Sequence, residues 1–450
     1  MSATAALLDF AAADHRLPPG VRADTERLLA DTLAVGAAGA TAPGADGVRA
    51  AAAAWGARQE ARIIGLPQRL PAPSAAFVNG FQIHCLEWDA VHEPAVVHAL
   101  SVVTAVVMAV LDRFQSRHSR ESRNPVSPAP GEESWVPASA GMMKDREQAL
   151  TALATGVDIA AGLGLAADSA LTFFRPATAG CIGAALAAAR LEGIGRDRLP
   201  DVLGLAYSFC AGTMQAHAEG SIALPLQIAN AARSAVMAID LVKAGLTGPH
   251  DALEGPMGYF TLFEQGNLDR YARDLGHVWR ISEVSAKPYP SGRASHAVLS
   301  ALAELRGEGE IVSVEAEVPP LVARLVGRAP KPDMTPAYAR LCLTTLAELM
   351  IEDGRIDPRR FDDLPVHQHR LILTADRNPD PNALSPQRLV VHFADGRSIE
   401  RTIPHTLGAP DAPLDAGQAA AKRALARELA PPGHDPCIFD QPLAYLTESA

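Results

Sequence analysis

Apolar and small residues recur at helical spacing over most of the first 267 positions, and the pattern turns to alternation only beyond them. Residues 2–15 and 21–40 read as Ala/Leu helices separated by Leu17-Pro18-Pro19-Gly20, and Gly47 to Glu60 as a third. Ala61-Arg62-Ile63-Ile64 reads as a brief extended piece. Ser74 suits the N-cap of a helix from Ala75 to about Cys85, and a further helix is predicted from about Ala95 to Phe114 after a bend at Glu93-Pro94. Helical patterning returns from Glu147 through Gly164. It continues from Leu165 to Leu246, where glycines at 180, 183, 193, 204 and 212 suggest close helix–helix approach. After about Asn267, Ile311 to Val318 alternates like a strand, Arg370 to Ala375 is a second candidate, and Arg388 to Ile403 reads as a hairpin around Ala394-Asp395-Gly396. Helices at about 293–306 and 335–351 lie between them, and Ala416 to Leu429 returns to helix. The expected fold is mainly α: an all-helical domain over 1–267, an α+β domain over 268–407, and a helical tail over 408–450 that packs back on the first.

One stretch breaks the pattern. Residues 115–144 hold three arginines, four prolines and six serines with no apolar periodicity. Such a composition buries too little apolar surface to offset the entropy of ordering it. The segment is expected to be a disordered in-frame insertion between two helices, its ESRNP and WVPASAGM strings resembling translated repeat elements. The alternative is a working lid or partner-binding arm.

Composition narrows the class. With 450 residues, two domains are expected, and 48% hydrophobic against 20% charged residues is the balance of a soluble globular protein. A net charge of -11 argues against nucleic acid as a partner, though not against a small anion in a local basic pocket. The five cysteines are scattered without CxxC spacing, so neither a zinc site nor a disulfide framework is indicated. Asp9 and Asp14 stand where a signal peptide would have a basic start and a clean apolar core, and the apolar run Ala99 to Leu111 is too short to span a bilayer. A cytoplasmic protein with no membrane partner is expected.

The densest chemistry lies in Asn79 to Leu111. Three histidines (His84, His92, His98), three carboxylates (Glu87, Asp89, Glu93), Cys85 and Trp88 crowd into fifteen residues before an apolar run. An imidazole beside a carboxylate serves as general acid or base near neutral pH, and Asp89 and His92 share a helical face if helix forms there. The competing reading is a set of helix-end polar groups that cap backbone and meet solvent. A two-histidine metal site lacks supporting ligand spacing, so no metal and no cofactor are expected.

A second constellation is Lys287-Pro288-Tyr289-Pro290-Ser291-Gly292-Arg293-Ala294-Ser295-His296. Prolines and a glycine fix a turn in which a lysine, an arginine, hydroxyls and a helix start meet, a suitable receptor for a carboxylate or phosphate. Its competing reading is a proline-capped surface loop. A third piece, the turn Glu219-Gly220-Ser221 before Leu224, says little alone, and His217 and Glu219 read as ordinary polar groups at a helix end.

Together these strings resemble the MmgE/PrpD family, whose members include 2-methylcitrate dehydratase and cis-aconitate decarboxylase. The carrying segments are NGFQIHCLEWDAVHEPAVVHA, RPATAGCIGAAL, EGSIALPLQIANAARSA followed by GLTGPHDALEGPMGYFTLF, and KPYPSGRASHAVLSAL. The resemblance implies a large all-helical domain, an inserted α+β lid, a homodimer, and a metal-free pocket between the domains that handles small di- or tricarboxylates. On it, Asp89, His92, His98, Lys287 and His296 are the candidate catalytic residues, with Tyr289, Ser291, Arg293 and Arg175 binding substrate. Ala90, Val91 and Ala99 depart from the family pattern. Arg175 stands where many members have histidine, and Leu224 stands about where tricarboxylate-processing members have lysine. The expected function is a metal-independent lyase, dehydratase or decarboxylase. The alternatives are a non-catalytic carboxylate-binding paralogue and an isomerase or epimerase.

Overall fold

The computed structural model describes residues 2–123, 138–364, 369–380 and 382–448. Two hydrophobic cores organise them. The larger is built from helices Pro19–Gly39, Ala72–His84, Ala99–Arg123, Ala138–Leu165, Arg175–Leu191 and Ala223–Lys243. Small residues let these helices meet closely. At Gly183 an added β-carbon would stand 2.5 Å from the carbonyl oxygen of Gly156 on the facing helix, so a side chain there would force the two apart. A two-stranded ribbon of β1 (Ala61–Arg62) and β2 (Arg69–Leu70) lies beside them. The tail returns to this core: Ala426, Ile438, Phe439, Tyr445 and Leu446 are all part of it.

The second core gathers residues between Ala294 and Phe393. Its sheet has the order β4-β3-β5-β6, from β3 (Ile311–Val318), β4 (Leu371–Ala375), β5 (Gln387–Phe393) and β6 (Ser398–Ile403). β3 runs parallel to β4 and antiparallel to β5, and β5 and β6 form the expected hairpin. Ile311 and Val314 both face inward despite their odd spacing, because the register shifts between Ile311 and Ser313. Helices His296–Leu305 and Leu343–Asp353 cover one face with Leu299, Leu302, Leu346 and Met350.

Several boundaries differ from expectation. The helix placed at Ala75 starts at Ala72 with Pro73 in its first turn, where no amide is needed, so Ser74 is buried inside it rather than capping it. The helix placed at Ala95 starts at Ala99, because Val96 has φ +53° and His92 bridges back to Val97. The Gly47–Glu60 helix is confined to Ala45–Ala53, and the 335–351 helix breaks into Pro336–Ala339 and Leu343–Asp353. Both ends of the 115–144 segment continue their flanking helices, to Arg123 and from Ala138. The rest of that expected insertion lies outside the described residues. Ala99–Ser116 and Arg146–Leu165 are long and apolar enough to cross a membrane, but 83% and 89% of these windows is buried in the larger core.

Candidate active site

The chain between the Ala72–His84 and Ala99–Arg123 helices does not pass straight from one to the other. It turns back through Glu87 and Val96, both at φ +53°. For a β-branched valine this conformation costs about 1–3 kcal/mol, and such strain is held only where surrounding contacts fix it. Here the amides of His92 and Val97 exchange hydrogen bonds of 2.9 and 3.2 Å with each other's carbonyls, and Val91 and Ser285 do likewise at 3.0 and 2.8 Å. The second pair ties the turn to the chain segment that carries Lys287.

The result is a buried charge cluster around Asp89, which is 0% exposed. Its Oδ2 takes hydrogen bonds from Nδ1 of His84 at 2.9 Å, Nδ1 of His98 at 3.1 Å and the Ser101 hydroxyl. Lys287, also fully buried, donates to the Glu87 carbonyl at 2.9 Å and to Glu87 Oε2 at 3.3 Å, and its Nζ stands 3.8 Å from Asp89 Oδ1. The rings of His84 and His98 lie 4.9 Å apart and nearly perpendicular.

Electrostatics separate these groups. Burial would push the Asp89 carboxyl up, but His84, His98 and Lys287 outweigh it and hold it well below the usual range; Glu87 is held low in the same way. Burial also lowers His98, and although Asp89 opposes this, Lys287 adds to it, so the ring stays below 6.5. For His84, burial is outweighed by Asp89 and Glu87 together, and the ring rises above 6.5. Two imidazoles on one carboxylate oxygen are thereby driven apart, one towards a base and the other towards an acid.

His84 and His98 both line a pocket with a cavity volume of about 70 Å³ that opens between the two cores. Its other polar lining is Glu87, Glu93, His217 and Arg293. Val91, Val96, Phe174 and Leu224 form its apolar wall on the helical side, and Leu325, Val326, Leu341 and Leu384 form it on the other. His84, Asp89 and His98 also offer ligand atoms within 4.8 Å of one another. The Lys287 ammonium beside Asp89 puts positive charge where a metal ion would have to approach, so this donor set suits proton transfer better.

The remaining expected site residues are placed differently. His92 is outside the pocket lining: its Nε2 meets Glu283 at 2.9 Å and its Nδ1 accepts from the Ala95 amide, which makes it a support for the turn. Arg175 is 0% exposed and does not offer its charge to the pocket. It is bidentate on Glu264 and donates to the carbonyls of Ala95 and Ser169. His296 is buried behind the pocket against Ser291, and burial with nearby Arg293 and Lys287 keeps it neutral, well below 6.5. The Ser291 hydroxyl bonds Ser295 and His296, and Tyr289 stacks edge-on against His296, so both brace the turn. Arg293 reaches the pocket but is held by Glu93 at 2.8 Å and by the carbonyls of Thr406 and Leu407. Cys85 is a buried thiol pushed up to about 12, which rules it out as a nucleophile near neutral pH.

Phe174 was not read from the sequence at all, His217 was read as an ordinary polar group at a helix end, and Leu224 was placed only through the family resemblance; the three come from separate segments and share no spacing signal. His217 lines the pocket, and burial followed by the neighbouring Arg328 lowers it to about 4. A histidine kept neutral in the fold protonates more readily when unfolded, so its contribution is present above 6.5 and is lost as pH falls towards about 4. Replacing His217 by asparagine is therefore expected to flatten the stability profile across that window by roughly 2–3 kcal/mol. Urea midpoints measured across the acid range check this, and an unchanged slope would contradict it.

Comparison with known proteins agrees with this architecture. The MmgE/PrpD N-terminal domain model matches residues 9–271, more than half of the chain. The chain belongs to the MmgE/PrpD family. Relatives include cis-aconitate decarboxylase of Mus musculus, 25% identical over 299 residues, covering 65% of this chain and 56% of that protein. The Homo sapiens cis-aconitate decarboxylase is 25% identical over 379 residues, covering 80% of this chain and 73% of its own length. The cis-aconitate decarboxylase-like protein oryM of Aspergillus oryzae is 23% identical, covering 86% and 82%. The chain thus spans little more than half of the mouse protein.

Proposed function

We propose that the pocket carries out proton-transfer lyase chemistry on a small carboxylate, by dehydration or decarboxylation, with the second core acting as its lid. The observation that carries this is the pair of pocket-lining imidazoles hydrogen-bonded through Nδ1 to one buried carboxylate oxygen, beside a buried lysine. In dehydration, His98 removes the proton next to the substrate carboxylate, a carbon–carbon double bond forms as the carbon–oxygen bond breaks, and His84 protonates the departing hydroxide to water. Asp89 accepts from Nδ1 of both rings, which leaves Nε2 of neutral His98 bare to act as the base, and it stabilises the protonated His84, whose Nε2 lies 3.4 Å from Glu87 Oε1. Lys287 limits the build-up of negative charge around them. Decarboxylation uses the same parts: carbon dioxide leaves and a histidine protonates the carbanion.

His98→Ala is expected to lower kcat by about 10²–10⁴ while substrate still binds. A panel of small carboxylates, scored for both thermal-shift binding and product formation, checks this. A variant with wild-type turnover would overturn the assignment. Binding across the panel without product from the unaltered protein would favour the carboxylate-binding paralogue, and interconversion of stereoisomers would favour the isomerase.

A further inference from the structure

Asp89 sits at the end of a turn whose backbone is gripped from outside at three successive places. The carbonyl of Cys85 accepts from Arg340 Nη1 at 3.2 Å, that of Glu87 from Lys287 Nζ at 2.9 Å, and that of Trp88 from Lys422 Nζ at 3.2 Å. All three cations are buried. They come from distant parts of the chain: Arg340 follows Ala339 of the second core, Lys287 lies in the segment leading into that core, and Lys422 belongs to the tail helix Ala416–Leu429. The Trp88 indole adds a further tie, donating to the Pro288 carbonyl at 3.2 Å. Hydrogen bonds from charged donors are the stronger kind, and a residue such as Glu87 at φ +53° persists only where its surroundings over-determine it.

Lys422 takes no part in the proton transfers themselves. Its ammonium meets Asp31 of the Pro19–Gly39 helix at 2.6 Å and lies 5.5 Å from the centre of the Trp88 ring. Asp89 and Lys287 are the other charged groups that act on it. A buried ion pair seldom adds stability over apolar side chains of similar size, because desolvation cancels most of the attraction. A methionine would fill this space without that cost. It could not donate to the Trp88 carbonyl, and that carbonyl belongs to the peptide unit joining Trp88 to Asp89. Its orientation therefore sets where the Asp89 side chain starts. A displacement of about 1 Å in a group of this kind costs about 10²-fold in rate.

We propose that Lys422 is a positioning residue: by holding the Trp88 carbonyl it fixes the Asp89 carboxylate against His84 and His98, and so makes the tail helix part of the active site. This deepens the lyase reading, on which its kinetic half rests. Lys422→Met removes the donor but leaves Asp31 without its cation, so the double variant Asp31→Asn/Lys422→Met is the decisive one. The full-length double variant is expected to melt as the native protein does, yet to lower kcat by at least about tenfold with little change in KM. Histidine NMR titration without substrate gives a second readout. His84 and His98, which titrate apart in the native protein, are expected to draw together, because the turn that lets them share one carboxylate oxygen has relaxed. Lys422→Met alone is expected to show the same titration at lower stability; should it fail to fold, the double variant decides. Native-like histidine titration in the folded double variant, or kcat restored along with stability, would each overturn the proposal. So would a double variant that does not fold, since Lys422 would then serve the fold itself. No product from the native protein on the carboxylate panel would count against the lyase reading, and the titration would still decide this one.

Discussion

Replacing Lys287 by alanine is expected to destabilise the protein by about 3–5 kcal/mol and to abolish turnover. The sequence alone suggested a different outcome, lost activity with an intact fold, because Lys287 read as a receptor for the substrate carboxylate in a rigid turn. It is instead fully buried between Glu87 and Asp89. Removing the ammonium leaves two buried carboxylates near each other without their nearest lysine, offset by His84 and His98 and, from further away, by Lys422, Arg340 and Arg328. The sign of the pH dependence follows. In the native protein Glu87 and Asp89 are held low, so they add stability above their unfolded values, and it is lost as pH falls through the folded ones. Without Lys287 both carboxyls rise, and the deficit relative to the native protein shrinks as they protonate. Urea unfolding at about pH 7 and about pH 4.5 measures this; a deficit below about 1 kcal/mol at the higher pH would mean that the pair is effectively solvated.

That buried lysine also explains which parts of the site could be read from sequence. Asp89 and His98 were legible because they crowd into one stretch before an apolar run; His84 stands in the same stretch but was given only a supporting role there. Ile311–Val318 and Ala416–Leu429 were legible because local alternation and helical spacing coincide with burial and a capping box. The roles of Glu87 and Glu93 were not, since each is fixed by a partner 200 positions away, Lys287 and Arg293 respectively. No local pattern encodes such a pairing. The same reason misplaced Arg175 and His92, whose partners Glu264 and Glu283 sit far along the chain. The Ala95–His98 segment was drawn as helix because its residues allow helix; the bridge between His92 and Val97 overrides that propensity and creates the turn that aims His98.

The second large effect belongs to the two imidazoles on Asp89. The pH profile of kcat/KM is expected to be bell-shaped around 6.5, with the acid limb reporting His98, which must be neutral to take a proton, and the alkaline limb reporting His84, which must hold one to give. His84→Gln keeps a planar hydrogen-bonding side chain but has no proton to transfer at that position. It is expected to lose the alkaline limb, keep the acid limb, and lower kcat by about 10²–10⁴. A merely structural role for His84 would lower the rate at every pH and leave both limbs in place. Because the two rings share Asp89 Oδ2, their titrations are coupled and the limbs belong to the pair. Asp89→Asn is therefore expected to move both limbs at once, since the carboxylate charge that opposes burial of each ring is gone: both histidines would fall, shifting the whole bell to lower pH.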